Sequence, residues 1–151
     1  MIIEKLRSDL IEGQKARDTI RVETIRFLLS ALKYFHIDKY GAQKIELPDE
    51  DVITVIRKQV KQREESIDAF KKGNRSDLVE KEEKELAILR SYLPAELTDE
   101  EIEKVVKEVV ASGQTAFGAV MGASMGKLKG KVSGDRVSAV VKNCLHNGKL
   151  P

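Results

Sequence analysis

The chain has no tryptophan, and aromatic residues make up only 5% of its 151 positions, so any core must be largely aliphatic. It has a single cysteine, Cys144, which rules out an internal disulfide. No apolar run approaches the roughly 20 residues that a membrane-spanning helix needs. The opening MIIEKLRSDL lacks the basic-then-apolar order of a secretory leader. These absences point to a cytoplasmic protein without a membrane partner. Chemistry-bearing motifs are equally scarce. There is no GxxxxGK[ST] loop and no GxGxxG after a strand. His36 and His146 have no second ligand at metal spacing. Cys144 falls on an apolar stripe, which reads as a buried structural thiol rather than a nucleophile. The acids Glu82, Glu83 and Glu85 sit among lysines at helix-surface spacing. No catalytic residue, metal ligand or cofactor is expected.

What is present is helical periodicity; no period-two strand pattern of useful length occurs. Hydrophobic residues form 41% and charged residues 34% of the chain, the balance of a charged globule. Ile3, Leu6 and Leu10 face one side of a first helix that ends near Gly13. Asp18 caps a second, lined by Val22, Ile25, Leu28 or Leu29, Leu32 and Phe35, and Asp38 to Leu47 reads as a loop. Pro48 with Asp49, Glu50 and Asp51 marks the start of a third helix, which runs to about Lys72. Leu78, Leu86 and Leu89 mark a fourth. Pro94 interrupts the pattern and sets a boundary. Thr98 and Glu101 then form a capping box for a fifth helix with Ile102, Val105, Val106 and Val109. A sixth runs from about Thr115 to Lys129, and Ser133 caps a seventh carrying Val137, Val140, Val141 and Cys144. The expected fold is all-α: a four-helix N-terminal body over residues 1–93 and a compact three-helix C-terminal unit over 94–151.

The sixth helix is unusual. Gly118, Gly122, Gly126, Gly130 and Gly134 recur every fourth residue, with Met121 and Met125 sharing another face. Each glycine inside a helix costs about 0.5–1 kcal/mol relative to alanine, so close approach of another backbone should compensate. Two readings stand: close packing of Gly118, Gly122 and Gly126 on a neighbouring helix, or a surface open to a phosphate backbone. A membrane dimerisation stripe does not fit, because the run ends in lysines.

The formal net charge of +2 argues against nucleic-acid binding over the whole surface. Its distribution is uneven. From Ser112 onward six basic residues face a single acid, Asp135. Lys127, Lys129, Lys131, Arg136 and Lys142 thus become candidate contacts to a polyanion, with the start of the seventh helix as a phosphate site. On the third helix, Arg57, Lys58, Lys61 and Arg63 face acids of the fourth and read as a surface ion-pair lattice. Glu80 and Lys84 form an i,i+4 pair.

Several of these pieces occur together in a known family. Lys61-Gln62-Arg63 with Ser66 and Phe70, Asn74-Arg75 with Asp77-Leu78, and Glu85-Leu86 through Tyr92-Leu93-Pro94 are followed by Gly118, Met121-Gly122, Met125, Lys127 and Lys129-Gly130. In this combination the chain resembles, over essentially its whole length, the YqeY-like proteins. These share a domain with the tail of the GatB subunit of tRNA-dependent amidotransferase. The resemblance implies an all-α body with a three-helix tail, and a tail that holds tRNA. It makes Lys127, Lys129, Gly130, Lys131 and Arg136 candidate RNA contacts. The departure is Ser133-Gly134-Asp135, where the GatB tail is expected to carry Asp-Pro-like residues. The family's carbon–nitrogen ligase label, with glutamine as amide donor, implies an amidotransferase or aminoacyl-tRNA synthetase as partner. The expected function is therefore a tRNA-binding accessory module, with a protein-interaction or assembly factor as the alternative.

Overall fold

The structure, a computed structural model, describes residues 1–128 and 131–146. Among the described residues it is all-helical: α1 (Ile2–Lys15), α2 (Thr19–Tyr40), α3 (Asp49–Lys72), α4 (Ser76–Arg90), α5 (Asp99–Ala111), α6 (Phe117–Leu128) and α7 (Gly134–His146). Backbone contacts divide the chain into two compact units, Met1–Leu93 and Pro94–Pro151.

In the first unit the helix boundaries follow local chemistry. Asp18 accepts a hydrogen bond from the Arg21 N–H at 3.2 Å, occupying one of the donors that a helix start leaves unpaired. Asp49 does the same for α1 from a distance, accepting from the Ile2 N–H at 2.9 Å. Pro48, which has no N–H to lose, stands immediately before α3. The core is aliphatic: Leu6, Ile25, Leu28, Leu32, Val52, Ile56 and Leu89 are all buried. Tyr92 closes one end, donating its hydroxyl to Asp9 at 2.5 Å.

Two helices run past their expected ends, one of them for a tertiary reason. The segment from Asp38 begins as helix, because α2 continues to Tyr40. Lys39 and Tyr40 both bond the buried Asp51 of α3, each at 2.7 Å, and so hold that last turn. It stops at Gly41, whose φ of +61° is open to glycine at little cost. Likewise α1 passes through Gly13 to Lys15. There α2 lies close, since a Cβ at Gly13 would sit 3.2 Å from Val22 Cγ2. Arg63 of α3 pairs with Glu82 and Glu85 of α4, and Arg90 of α4 reaches Glu64 of α3. Of the four α3 cations expected to form an ion-pair lattice, Arg63 is seen to pair with acids of α4.

The second unit has its own core of Ile102, Val106, Val120, Val137, Val141 and Cys144, contributed by α5, α6 and α7. Its first helix begins with the expected capping box. Thr98 Oγ1 accepts from the Glu101 N–H at 3.2 Å, while Glu101 accepts from the Thr98 N–H at 2.7 Å. Cys144 is buried within this core.

Candidate nucleic-acid interface

The second unit carries most of the candidate contacts, and α6 orients them. Val120, Ser124 and Leu128, four residues apart, face the core and are buried. Gly118, Gly122 and Gly126 are offset by two positions, about 200° around the helix, and are exposed. The close packing expected of this stripe is not found. A Cβ built on any of the three meets nothing within 4 Å among the described residues. The reason is register: the four-residue apolar ladder of α6 already points inward, so the glycine ladder faces solvent. A tight contact occurs instead at Gly13, where a Cβ would meet the side chain of Val22. Met121 and Met125 are half-buried and pack on the unit's core as filler. Ala119 is exposed and Ala123 half-buried beside the glycines, so one side of α6 is nearly bare backbone.

Lys127 lies at the end of that face. Its Nζ is 3.9 Å from Glu108 Oε2, and both side chains are 55% exposed, a pairing of little strength. Lys131 is exposed as well. Lys142 sits on α7 with its Nζ 5.9 Å from the Phe117 ring centre, above the ring face. Lys129 and Gly130 lie outside the described residues.

Arg136 has a different setting. Its guanidinium donates to Glu96 Oε2 at 2.8 Å and to Asp99 Oδ1 at 2.7 Å. The bond to Asp99, then that to Glu96, holds its pKa above the ordinary value. The expected phosphate site at the start of α7 is thus already supplied with two carboxylates, and Arg136 ties the start of α7 to the start of α5 and the residues before it. Sequence reasoning missed Glu96 and Asp99 because the basic window was counted from Ser112, beyond α5. The capping-box acids at the start of α5 were the available signal. Counted over residues 94–151, eight basic residues face seven acids, so the unit is close to neutral.

A comparison with known families decides the relationship. The family model described as Yqey-like protein matches residues 3–145. The chain belongs to this family. Among curated relatives, "Altered inheritance of mitochondria protein 41, mitochondrial" of Lachancea thermotolerans is 42% identical over 91 residues, which is 60% of this chain and 47% of that protein. The proteins of the same name in Vanderwaltozyma polyspora and Kluyveromyces lactis are 32% and 39% identical, covering 69% and 62% of this chain and 58% and 49% of their own length. This YqeY-like chain thus matches about half the length of these relatives. Their names attach them to mitochondria, which does not support the cytoplasmic expectation for this chain. No helix among the described residues is long and apolar enough to cross a membrane.

Proposed function

We propose that this YqeY-like chain is a non-catalytic RNA-binding accessory module working in the cytoplasm. Its second unit meets the sugar–phosphate backbone of tRNA, or of another structured RNA, along the bare side of α6. The observation that carries this reading is the exposed glycine face of α6, which ends at the exposed, weakly paired Lys127. A helix without side chains lets a polyanionic strand come close enough for Lys127, Lys131 and Lys142 to reach phosphates. Such contacts position a backbone and read little sequence. Lys129 and Gly130, which lie outside the described residues, are kept as proposed RNA contacts on the strength of the family resemblance alone. Arg136 serves mainly to hold the unit together. Glutamine-dependent carbon–nitrogen ligase chemistry would belong to a partner amidotransferase, or an aminoacyl-tRNA synthetase would supply the charged tRNA.

The test is a titration against bulk tRNA at two salt concentrations, with duplex DNA as control. Preferential binding of tRNA that weakens steeply with salt is expected. Replacing Lys127, Lys131 and Lys142 together by alanine should flatten the log–log salt slope by about two to three. Equal binding to both nucleic acids, or an unchanged slope in the triple variant, would sink the assignment.

A second reading has its own observation. The near-neutral charge of the second unit suits a helix of a protein partner docked on the Gly118–Gly122–Gly126 face. Gly122→Leu would then abolish partner capture while the fold survives, whereas salt-sensitive RNA binding in that variant would favour the first reading.

A further inference from the structure

We propose that the first unit holds a binding site for a monoanionic aliphatic carboxylate, in the cavity bounded by α1, α2 and the segment between Gly41 and Pro48. The cavity measures about 520 Å³, within the roughly 300–1,000 Å³ range of small-ligand sites. Ile3 of α1, Ile37 of α2 and Ile45 of the segment line it, above the core side chains Leu32 and Leu47. Ile37 is 55% exposed and Ile45 43% exposed, so apolar surface at the mouth is left in water. One wall is fixed by His36, whose Nε2–H donates to the Ile45 carbonyl at 2.7 Å and holds the segment against α2.

The charge of the lining selects the head group. Arg7 and Lys33 both border the cavity, and neither has an ion pair or hydrogen bond among the described residues. Some cations of this unit, such as Arg63, Arg90 and Lys39, are matched with carboxylates, while others, Arg26, Lys58 and Lys61 among them, are not matched among the described residues; what sets Arg7 and Lys33 apart is their place at the cavity. Among the described residues Glu46 is the one acid in the lining, so Arg7 and Lys33 outnumber it by one formal charge. An apolar cleft with two unmatched cations from different helices suits one carboxylate on a straight apolar tail. The tail buries against Ile3, Ile37 and Ile45 while the head stays near Arg7 and Lys33 at the wet rim. A neutral lipid leaves both cations unanswered, and a cationic amphiphile is repelled.

The experiment titrates octanoate, decanoate and dodecanoate, each below its micelle concentration, into the full chain and follows backbone amide resonances. Decanol and decyltrimethylammonium serve as neutral and cationic controls. Saturable shifts confined to Ile3, Arg7, Lys33–Ile37 and Ile45–Leu47 are expected. Affinity should rise about fourfold per added methylene until the cavity is full. Decanoate should outbind the cationic control at least tenfold, and Arg7→Gln with Lys33→Gln should erase that preference. Both side chains are exposed, so the double variant keeps its fold. Ile37→Asp, also at an exposed position, should weaken decanoate at least tenfold. Three results would overturn the proposal: scattered or non-saturating shifts, equal affinity for the three head groups, or unchanged decanoate binding in the double variant. Self-association that Ile37→Asp abolishes, with no decanoate response, would instead assign the cleft to a second copy of the chain and equally overturn it.

Discussion

Gly122 and Tyr92 show how differently single residues act in this chain. Gly122 lies inside a helix with open space where a Cβ would go, so it brings the entropy cost of glycine without a packing return. Gly122→Ala should therefore raise stability by about 0.5–1 kcal/mol, read as a higher midpoint in urea. If the bare face is functional, the same change should weaken RNA or partner binding, the trade expected where function opposes stability. A destabilised Gly122→Ala protein would show that another backbone does lie against α6. Tyr92 is the converse case. Burial first, and then its hydrogen bond to Asp9, raises its pKa above the ordinary 10.0. A raised folded-state pKa means that the stabilisation is complete below pH 10 and is lost as the pH climbs through the folded value. Thermal midpoints should fall above pH 10, and Tyr92→Phe should flatten that fall. Because Phe leaves the Asp9 carboxylate one partner short, it should also cost about 1–2 kcal/mol at neutral pH. An identical alkaline profile in wild type and Tyr92→Phe would refute the linkage.

Among the elements, α5 is the one whose start was most fully written in local sequence. Thr98 and Glu101 satisfy each other's backbone donors without help from any distant residue. Thr98→Ala should cost about 1 kcal/mol, and Thr98→Ser should restore most of it; unfolding monitored by circular dichroism would check both. α2 is the opposite. Its last turn depends on Asp51, eleven or more residues away in the chain, which bonds Lys39 and Tyr40. Periodicity alone ends that helix before Asp38, because no local pattern announces a partner on another helix. α6 shows a third situation. Its helical character and its four-residue ladders were legible, but not which ladder faced the core. Val120, Ser124 and Leu128 won the inside position, leaving the glycines outside.

For the molecule as a whole, the two compact units have separate cores, one built on Leu28, Ile56 and Leu89 and the other on Val106, Val120 and Val141. We expect a fragment comprising Met1–Leu93 to keep helical circular dichroism and to unfold in one cooperative step, because it carries a core of its own. A fragment that is unfolded or molten would show that the first unit depends on the second. Charge must also be judged at this scale. The excess of basic residues after Ser112 looked like a polyanion surface in one dimension. In three, Arg136 turns to Glu96 and Asp99, and Lys127 lies near Glu108.

Taken by itself, the sequence determined that this protein is helical, that its cores are aliphatic, and that it belongs with the YqeY-like proteins. Those properties rest on local periodicity, composition and residues in fixed order, all of which survive when the chain is written as a line. Only the tertiary structure decided which face of α6 is bare, that Arg136 is paired with Glu96 and Asp99, and that α1, α2 and the segment before Pro48 enclose a cleft. Each of these depends on side chains distant in sequence meeting in space. A count along the chain has no distance term, whereas packing and ion pairing are functions of distance alone.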